Sequence, residues 1–156
     1  MTNATTSRRA IVSCPFCATL NRIDLDRLGD GPRCHDCGQP LDLDRPQAVS
    51  ADALDRIVAE TEVPVLIDFS ADWCGPCRIL GPVLDQFARD RAGEVIVGKL
   101  DIDRHRDAAV RLGVRGIPTL IVFSGGREVA RQVGAVLRAG LDALFDSLEA
   151  APERSS

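Results

Sequence analysis

The 156-residue sequence contains no apolar run near the roughly 18 residues that a membrane-spanning helix needs, which excludes an integral membrane helix. It contains no block of like charge either. With a formal net charge of −4, that argues against a binder of nucleic acid or of an anionic membrane surface. No export leader is expected either. Arg8 and Arg9 are followed only by Ala10, Ile11 and Val12 before Ser13, too few for the apolar region of a twin-arginine or secretory signal. Residues 1–12 therefore read as a short solvated tail, and the chain is expected to stay in the reducing cytoplasm. Lysine is almost missing too: of 19 basic residues 18 are Arg, and Lys99 is the exception.

What is present is a globular balance of 45% hydrophobic and 27% charged residues, which excludes wholesale disorder. The length suits one domain of about 100–150 residues with an appendage, not two full domains. Six cysteines fall into three Cys-x-x-Cys pairs, Cys14/Cys17, Cys34/Cys37 and Cys74/Cys77. In a reducing compartment such pairs are metal ligands or redox catalysts before they are structural bridges. Residues 13–46 hold the first two pairs. They show little periodicity and are punctuated by Gly29, Gly31, Pro32, Gly38 and Pro40, with 41–46 reading as an exit strand and linker.

From Ser50 onward helix and strand signals alternate. Ser50 caps a helix with Leu54, Ile57 and Val58 on one face, and an apolar strand follows at 64–69. A helix over 74–89 crosses Pro82, then come a strand over 94–102 and a short helix over 104–112. Strands 119–124 and 127–133 are joined at Gly125-Gly126, and an amphipathic helix over 137–150 closes the pattern. Crossovers feeding parallel strands and a final hairpin predict an α/β fold, a central mixed sheet flanked by helices.

Trp73-Cys74-Gly75-Pro76-Cys77 falls where a buried strand ends and a helix begins. A helix N-terminus lowers a thiol's pKa through its dipole and unpaired N–H groups, and the thiolate is the nucleophile. Cys74, at the mouth of that helix, is expected to be exposed and to attack a substrate disulfide. Cys77, one turn inward and shielded, then attacks the mixed disulfide and releases reduced product.

The stretch Val65 to Cys77 (VLIDFSADWCGPC), together with Gly116-Ile117-Pro118-Thr119, resembles thioredoxin. The resemblance implies a thioredoxin fold over 47–151, with 152–156 as a tail, and disulfide reductase activity on proteins. It also implies a thioredoxin reductase partner that delivers NADPH electrons, so no organic cofactor is bound directly; a monomer is expected. Asp68 is a carboxylate in an apolar strand, where burial raises its pKa and makes it a proton carrier. The resemblance implies that it serves Cys77; an aspartate at a wet strand end is the ordinary alternative. Lys99 matches the family's lysine beside that aspartate, and a compact ammonium can shift on burial where guanidinium cannot. Chance placement of one lysine is the alternative. Pro118 matches the family's cis-proline, with Ile117 offering backbone groups to an extended substrate. Trp73, Gly75, Pro76, Ile117 and Gly134 form the implied apolar rim, although each could equally serve packing. Ser70 departs from the pattern: most members carry an aromatic there, so packing or potential is altered.

Cys14-Pro15-Phe16-Cys17 and Cys34-His35-Asp36-Cys37-Gly38 are separated by sixteen residues, the spacing for which zinc is the default reading. Two such turns complete a tetrahedron of thiolates with no open position, so one structural Zn²⁺ is expected, stapling a segment too small to hold a core. Pro15 and Gly38 suit tight knuckles. A rubredoxin-like iron site uses the same ligands, and a second redox pair at Cys14/Cys17 is weaker because no buried strand feeds it. His35 is surplus to four thiolates and is expected to be exposed. A four-cysteine segment ahead of WCGPC resembles the bacterial thioredoxin 2 branch of the family. The expected function is thiol–disulfide exchange through Cys74/Cys77. The alternatives are a zinc-dependent oxidative-stress sensor or interaction module, and an oxidase or isomerase, against which Pro76 counts.

Overall fold

The computed structural model describes residues 8–150. The proposed tails at 1–7 and 152–156 lie outside the described residues. The elements run β1 (Arg9–Ser13), β2 (Leu20–Asp24), a short 3₁₀ segment (Leu25–Asp30), β3 (Gln47–Ala48), α1 (Ala51–Glu60) and β4 (Val65–Ser70). They continue with α2 (Gly75–Asp90), β5 (Ile96–Asp101), α3 (Arg106–Arg111), β6 (Thr119–Ser124), β7 (Arg127–Val133) and α4 (Arg138–Ala150). No helix among the described residues is long and apolar enough to cross a membrane.

The main sheet has the order β3-β5-β4-β6-β7. β5 is parallel to both β3 and β4, whereas β6 is antiparallel to β4 and to β7. β4 is central and buried from Val65 to Phe69, as its continuous apolar run requires. Alternation along β4 divides the core. Val65, Ile67 and Phe69 pack with Leu54 and Ile57 of α1, while Leu66 packs with Leu80, Leu84 and Phe87 of α2 and with Phe145 of α4. Asp68 therefore lies on the α2 side of the sheet. The Ser50 side chain accepts from the Ala53 amide, as expected of a cap, and α2 continues through Pro82.

Two expectations about the N-terminal segment fail. Residues 9–12, read as solvated tail, belong to β1, and Ala10, Ile11 and Val12 are buried. Side chains alternate along a strand, so burial of all three means that both faces of β1 are covered. Their cluster includes Val49, Ala53, Leu54 and Ile57, so the cysteine-bearing segment and the α/β layer share a core. Two hydrogen bonds lock the contact: the Ile11 amide donates to Thr61 Oγ1 (3.1 Å) and the Glu62 amide to the Arg9 carbonyl (2.8 Å). The second failure is the exit strand at 41–46. That stretch is irregular, with Leu41 buried and its amide bonded to the Pro32 carbonyl, and the first strand of the main sheet is Gln47–Ala48.

Candidate functional site: a redox dithiol beside a four-cysteine cluster

Cys74 and Cys77 are joined as a disulfide at the start of α2, with Cα atoms 5.3 Å apart. Cys74 is the N-cap, and its sulfur accepts from the Cys77 amide at 3.2 Å. A sulfur held by an orphan helix N–H is in the place where a thiolate is best stabilised. The expected exposure of Cys74 is not observed: it is 3% exposed, less than Cys77 at 7%. Exposed surface lies instead on Trp73, Gly75 and Pro76 around it.

Asp68 is 1% exposed, and neither carboxylate oxygen has a hydrogen-bond partner among the described residues. Burial pushes its carboxyl up to about 6, against the pull of the Lys99 ammonium. Lys99 is directly opposite it in the β4–β5 register, as the resemblance implied. Lys99 is nevertheless exposed, so burial of its ammonium, the reason advanced for lysine over arginine, does not apply. What remains is a flexible cation at the rim of a buried carboxylate.

The Ile117–Pro118 bond is cis. Thr119 is opposite Phe69 in the β4–β6 register, so Pro118 sits at the sheet end from which β4 leads to Cys74. The Gly134 amide donates to the Pro118 carbonyl (2.8 Å), bringing Gly134 to the same place. Ile117 is half-buried and Trp73 is 66% exposed. One working contact escapes sequence reasoning: Trp73 Nε1 donates to Asp103 Oδ2 at 2.9 Å, fixing the indole across thirty residues. Nothing in the local spacing signals that pair.

The other four cysteines converge. The ligand atoms of Cys14, Cys17, Cys34 and Cys37 all lie within 4.8 Å of one another, with Cys14–Cys37 and Cys17–Cys34 sulfurs 3.6 Å apart. A tetrahedron with about 2.3 Å metal–sulfur bonds has sulfurs about 3.8 Å apart, so the donor set fits zinc in number, type and spacing. The two turns repeat one geometry. The Ala18 amide bonds to the Cys14 carbonyl and the Gly38 amide to the Cys34 carbonyl, and both Ala18 and Gly38 have left-handed φ, +66° and +79°.

The Cys37 backbone amide, with Asn21, holds the Cys34 thiol down at about 6. Cys14 is lowered too: burial opposes this, but the Cys17 and Phe16 amides outweigh it. Cys37 is relieved by the Gln39 amide but pushed up to about 12 by burial and by the other three thiols. Four thiolates crowded together need a cation to ionise as a set. Asn21, 3% exposed, is a supporting residue that spacing did not reveal. Its Oδ1 accepts from the His35 amide (2.9 Å), and its Nδ2 approaches Cys34 Sγ (3.5 Å). His35 is exposed and stays outside the cluster, its ring Nε2 lying 3.2 Å from the Leu20 carbonyl.

Comparison with known proteins agrees with this geometry. A family model described as Thioredoxin matches residues 45–147, and one described as Thioredoxin 2, N-terminal, matches residues 13–39. A thioredoxin of Pseudomonas aeruginosa is 44% identical over 95 residues, covering 61% of this chain and 88% of its own. One of Allochromatium vinosum is 43% identical over 99 residues, covering 64% and 92%. The solved structure of a mutant thioredoxin from Halobacterium salinarum NRC-1 superposes with a TM-score of 0.63 at 36% identity, covering 72% of this chain and 98% of that one. A redox disulfide capping α2, set on a mixed sheet behind a four-cysteine ribbon, places this chain in the thioredoxin family as a thioredoxin-type disulfide oxidoreductase.

Proposed function

We propose that the chain reduces disulfides of cytoplasmic proteins through Cys74 and Cys77. The observation that carries this is the Cys74 sulfur at the α2 cap, one turn from Cys77 and on the same sheet side as the buried Asp68 carboxylate, which has no hydrogen-bond partner among the described residues. Cys74 thiolate attacks a substrate disulfide and releases one substrate thiolate. Cys77 gives its proton to Asp68 and attacks the Cys74 sulfur, forming the intramolecular disulfide and releasing the second substrate thiolate. Lys99, exposed beside Asp68, steadies the carboxylate once it ionises. Trp73, Gly75, Pro76, Ile117, Pro118 and Gly134 receive the extended segment that bears the substrate disulfide. A thioredoxin reductase restores the dithiol with electrons from NADPH, and the chain works as a monomer. Insulin reduction tests the reading: Cys74→Ser should abolish turnover, and an unchanged rate sinks it.

Cys14, Cys17, Cys34 and Cys37 would hold one structural Zn²⁺, which supplies charge neutralisation and a cross-link. Metal analysis beside thiol titration should find one zinc and two reactive thiols in the reduced protein. Cys17 and Cys37 are exposed, which favours a second role in which oxidant reaches these thiolates and the module senses peroxide. Zinc release no faster than from a protected structural finger would exclude that role.

A further inference from the structure

Cys77 and Cys74 are both largely buried, at 7% and 3% exposed, but they border different surfaces. Cys77 lines a cleft of about 840 Å³ between the start of α2 and the knuckle at Cys14–Ala18. Cys74 is not among the described residues that line it. On the sheet, Asp68 is opposite Lys99 and Ser70 opposite Asp101. Alternate residues share a face, so all four project on the side that α2 covers. Ser70, Lys99 and Asp101 line the cleft with Cys77, while Asp68 lies one step inward, 1% exposed and without a hydrogen-bond partner among the described residues. The opposite wall is built from Pro15, Phe16 and Cys17 of the four-cysteine module.

We infer that this cleft is a side entrance to Cys77, kept open by the small side chain of Ser70 and walled by the four-cysteine module, through which the resolving proton leaves while substrate covers the Cys74 side. The inference rests on the reductase reading above. With Cys74 bonded to a substrate sulfur, Cys77 transfers its proton to the Asp68 carboxylate, and its thiolate attacks Cys74. The Cys74–Cys77 bond forms as the Cys74–substrate bond breaks, and the departing substrate thiolate takes a proton from water. Asp68 must then return its proton before the next cycle. A substrate lying on the Trp73 rim shuts the front of the site, whereas the Ser70 side still opens to solvent. The module thus shapes the access of small species to the second cysteine without touching the protein substrate.

The test is alkylation of Cys77 by iodoacetamide in the Cys74→Ser protein, mapped by mass spectrometry, alone and combined with Ser70→Ala or Ser70→Phe. Ser70→Ala should leave the Cys77 labelling rate within about twofold, and Ser70→Phe should slow it about fivefold or more, because access controls thiol reactivity. Ala48→Trp, at an exposed cleft position away from the core, should slow labelling in the same way should Ser70→Phe fail to fold. In the protein with both cysteines, Ser70→Phe should slow release of the second substrate thiolate while leaving the Cys74 attack rate unchanged in stopped-flow Trp73 fluorescence. Equal labelling in all variants overturns the inference, as does equal slowing of both steps. Absence of disulfide reduction in the parent protein would tell against the reductase reading and leave the labelling result standing on its own.

Discussion

Asp68 shows what one residue costs and supplies. Its carboxyl titrates near 6 in the fold against 3.8 for an unburied aspartate, because burial penalises the anion more than Lys99 relieves it. Lys99 and Asp101 on β5 share its side of the sheet, which α2, the helix of Cys77, covers. Between pH 4 and 6 the native state therefore binds more protons than the unfolded chain, and stability falls as pH rises. The loss totals about 3 kcal/mol and is complete above the folded pKa. Asp68→Asn should remove that slope in denaturant titrations at pH 4, 6 and 8, raise stability at pH 8 by up to about 3 kcal/mol, and slow the resolving step by roughly tenfold or more. A variant no more stable than the parent at pH 8 would show that the carboxyl is not strained by burial. Asp68, Cys74 and Cys77 were legible in the sequence as candidates, because a charge in an apolar strand and a thiol pair at a helix start are local anomalies. The burial of Cys74 was not, since it is set by what packs around the cap. The same holds for Asp103, which reaches Trp73 across the fold.

At the scale of elements, periodicity located β6 and β7 to the residue and β4, α2, β5, α3 and α4 to within a residue or two at their ends, but it did not find β1, β2 or β3. β1 escaped because three apolar residues beside two arginines carry no period. Gly98 on β5 shows why a register is fixed. A Cβ there would stand 2.6 Å from Val49 Cγ2 and 3.0 Å from Ile67 Cδ1. Val49 is β-branched, buried and held in the shared core, so it yields little. Gly98→Ala should destabilise by about 1–3 kcal/mol in urea unfolding, with the zinc content unchanged. The paired knuckles offer a contrast. Gly38→Ala forces a side chain into left-handed backbone and should cost about 1 kcal/mol, although open space surrounds it. Ala18→Gly removes that strain from the first knuckle but loosens the unfolded chain by about the same amount, so it should be nearly neutral in the same titration.

For the whole molecule, the shared core decides behaviour. Ile11 of β1 is fully buried against the cluster containing Leu54, Ile57 and Ile67, so the cysteine module is not a separable appendage. Ile11→Ala should cost about 2–5 kcal/mol, read as one cooperative transition reported equally by Trp73 fluorescence and by zinc release. Chelation of the metal should likewise lower the midpoint of that single transition, because metal bound only by the folded state stabilises whatever folds with its ligands. Two separate transitions would show that the module and the α/β layer unfold independently. Exposed ion pairs such as Arg111–Asp55 and Arg27–Asp30 add little to this total, since water screens them.

By itself the sequence determined the candidate chemistry: which two cysteines stand at a helix start, which four gather, which carboxylate is out of place, and the alternation that makes a mixed sheet. Those are statements about residue type and short spacing, and spacing along a chain dictates local geometry. Only the tertiary structure decided that β1 completes the core, that Cys74 is buried while Lys99 is exposed, and that a cleft joins the four-cysteine module to Cys77. Burial and clefts belong to surfaces brought together from distant segments. No spacing within either segment encodes how closely the two will pack.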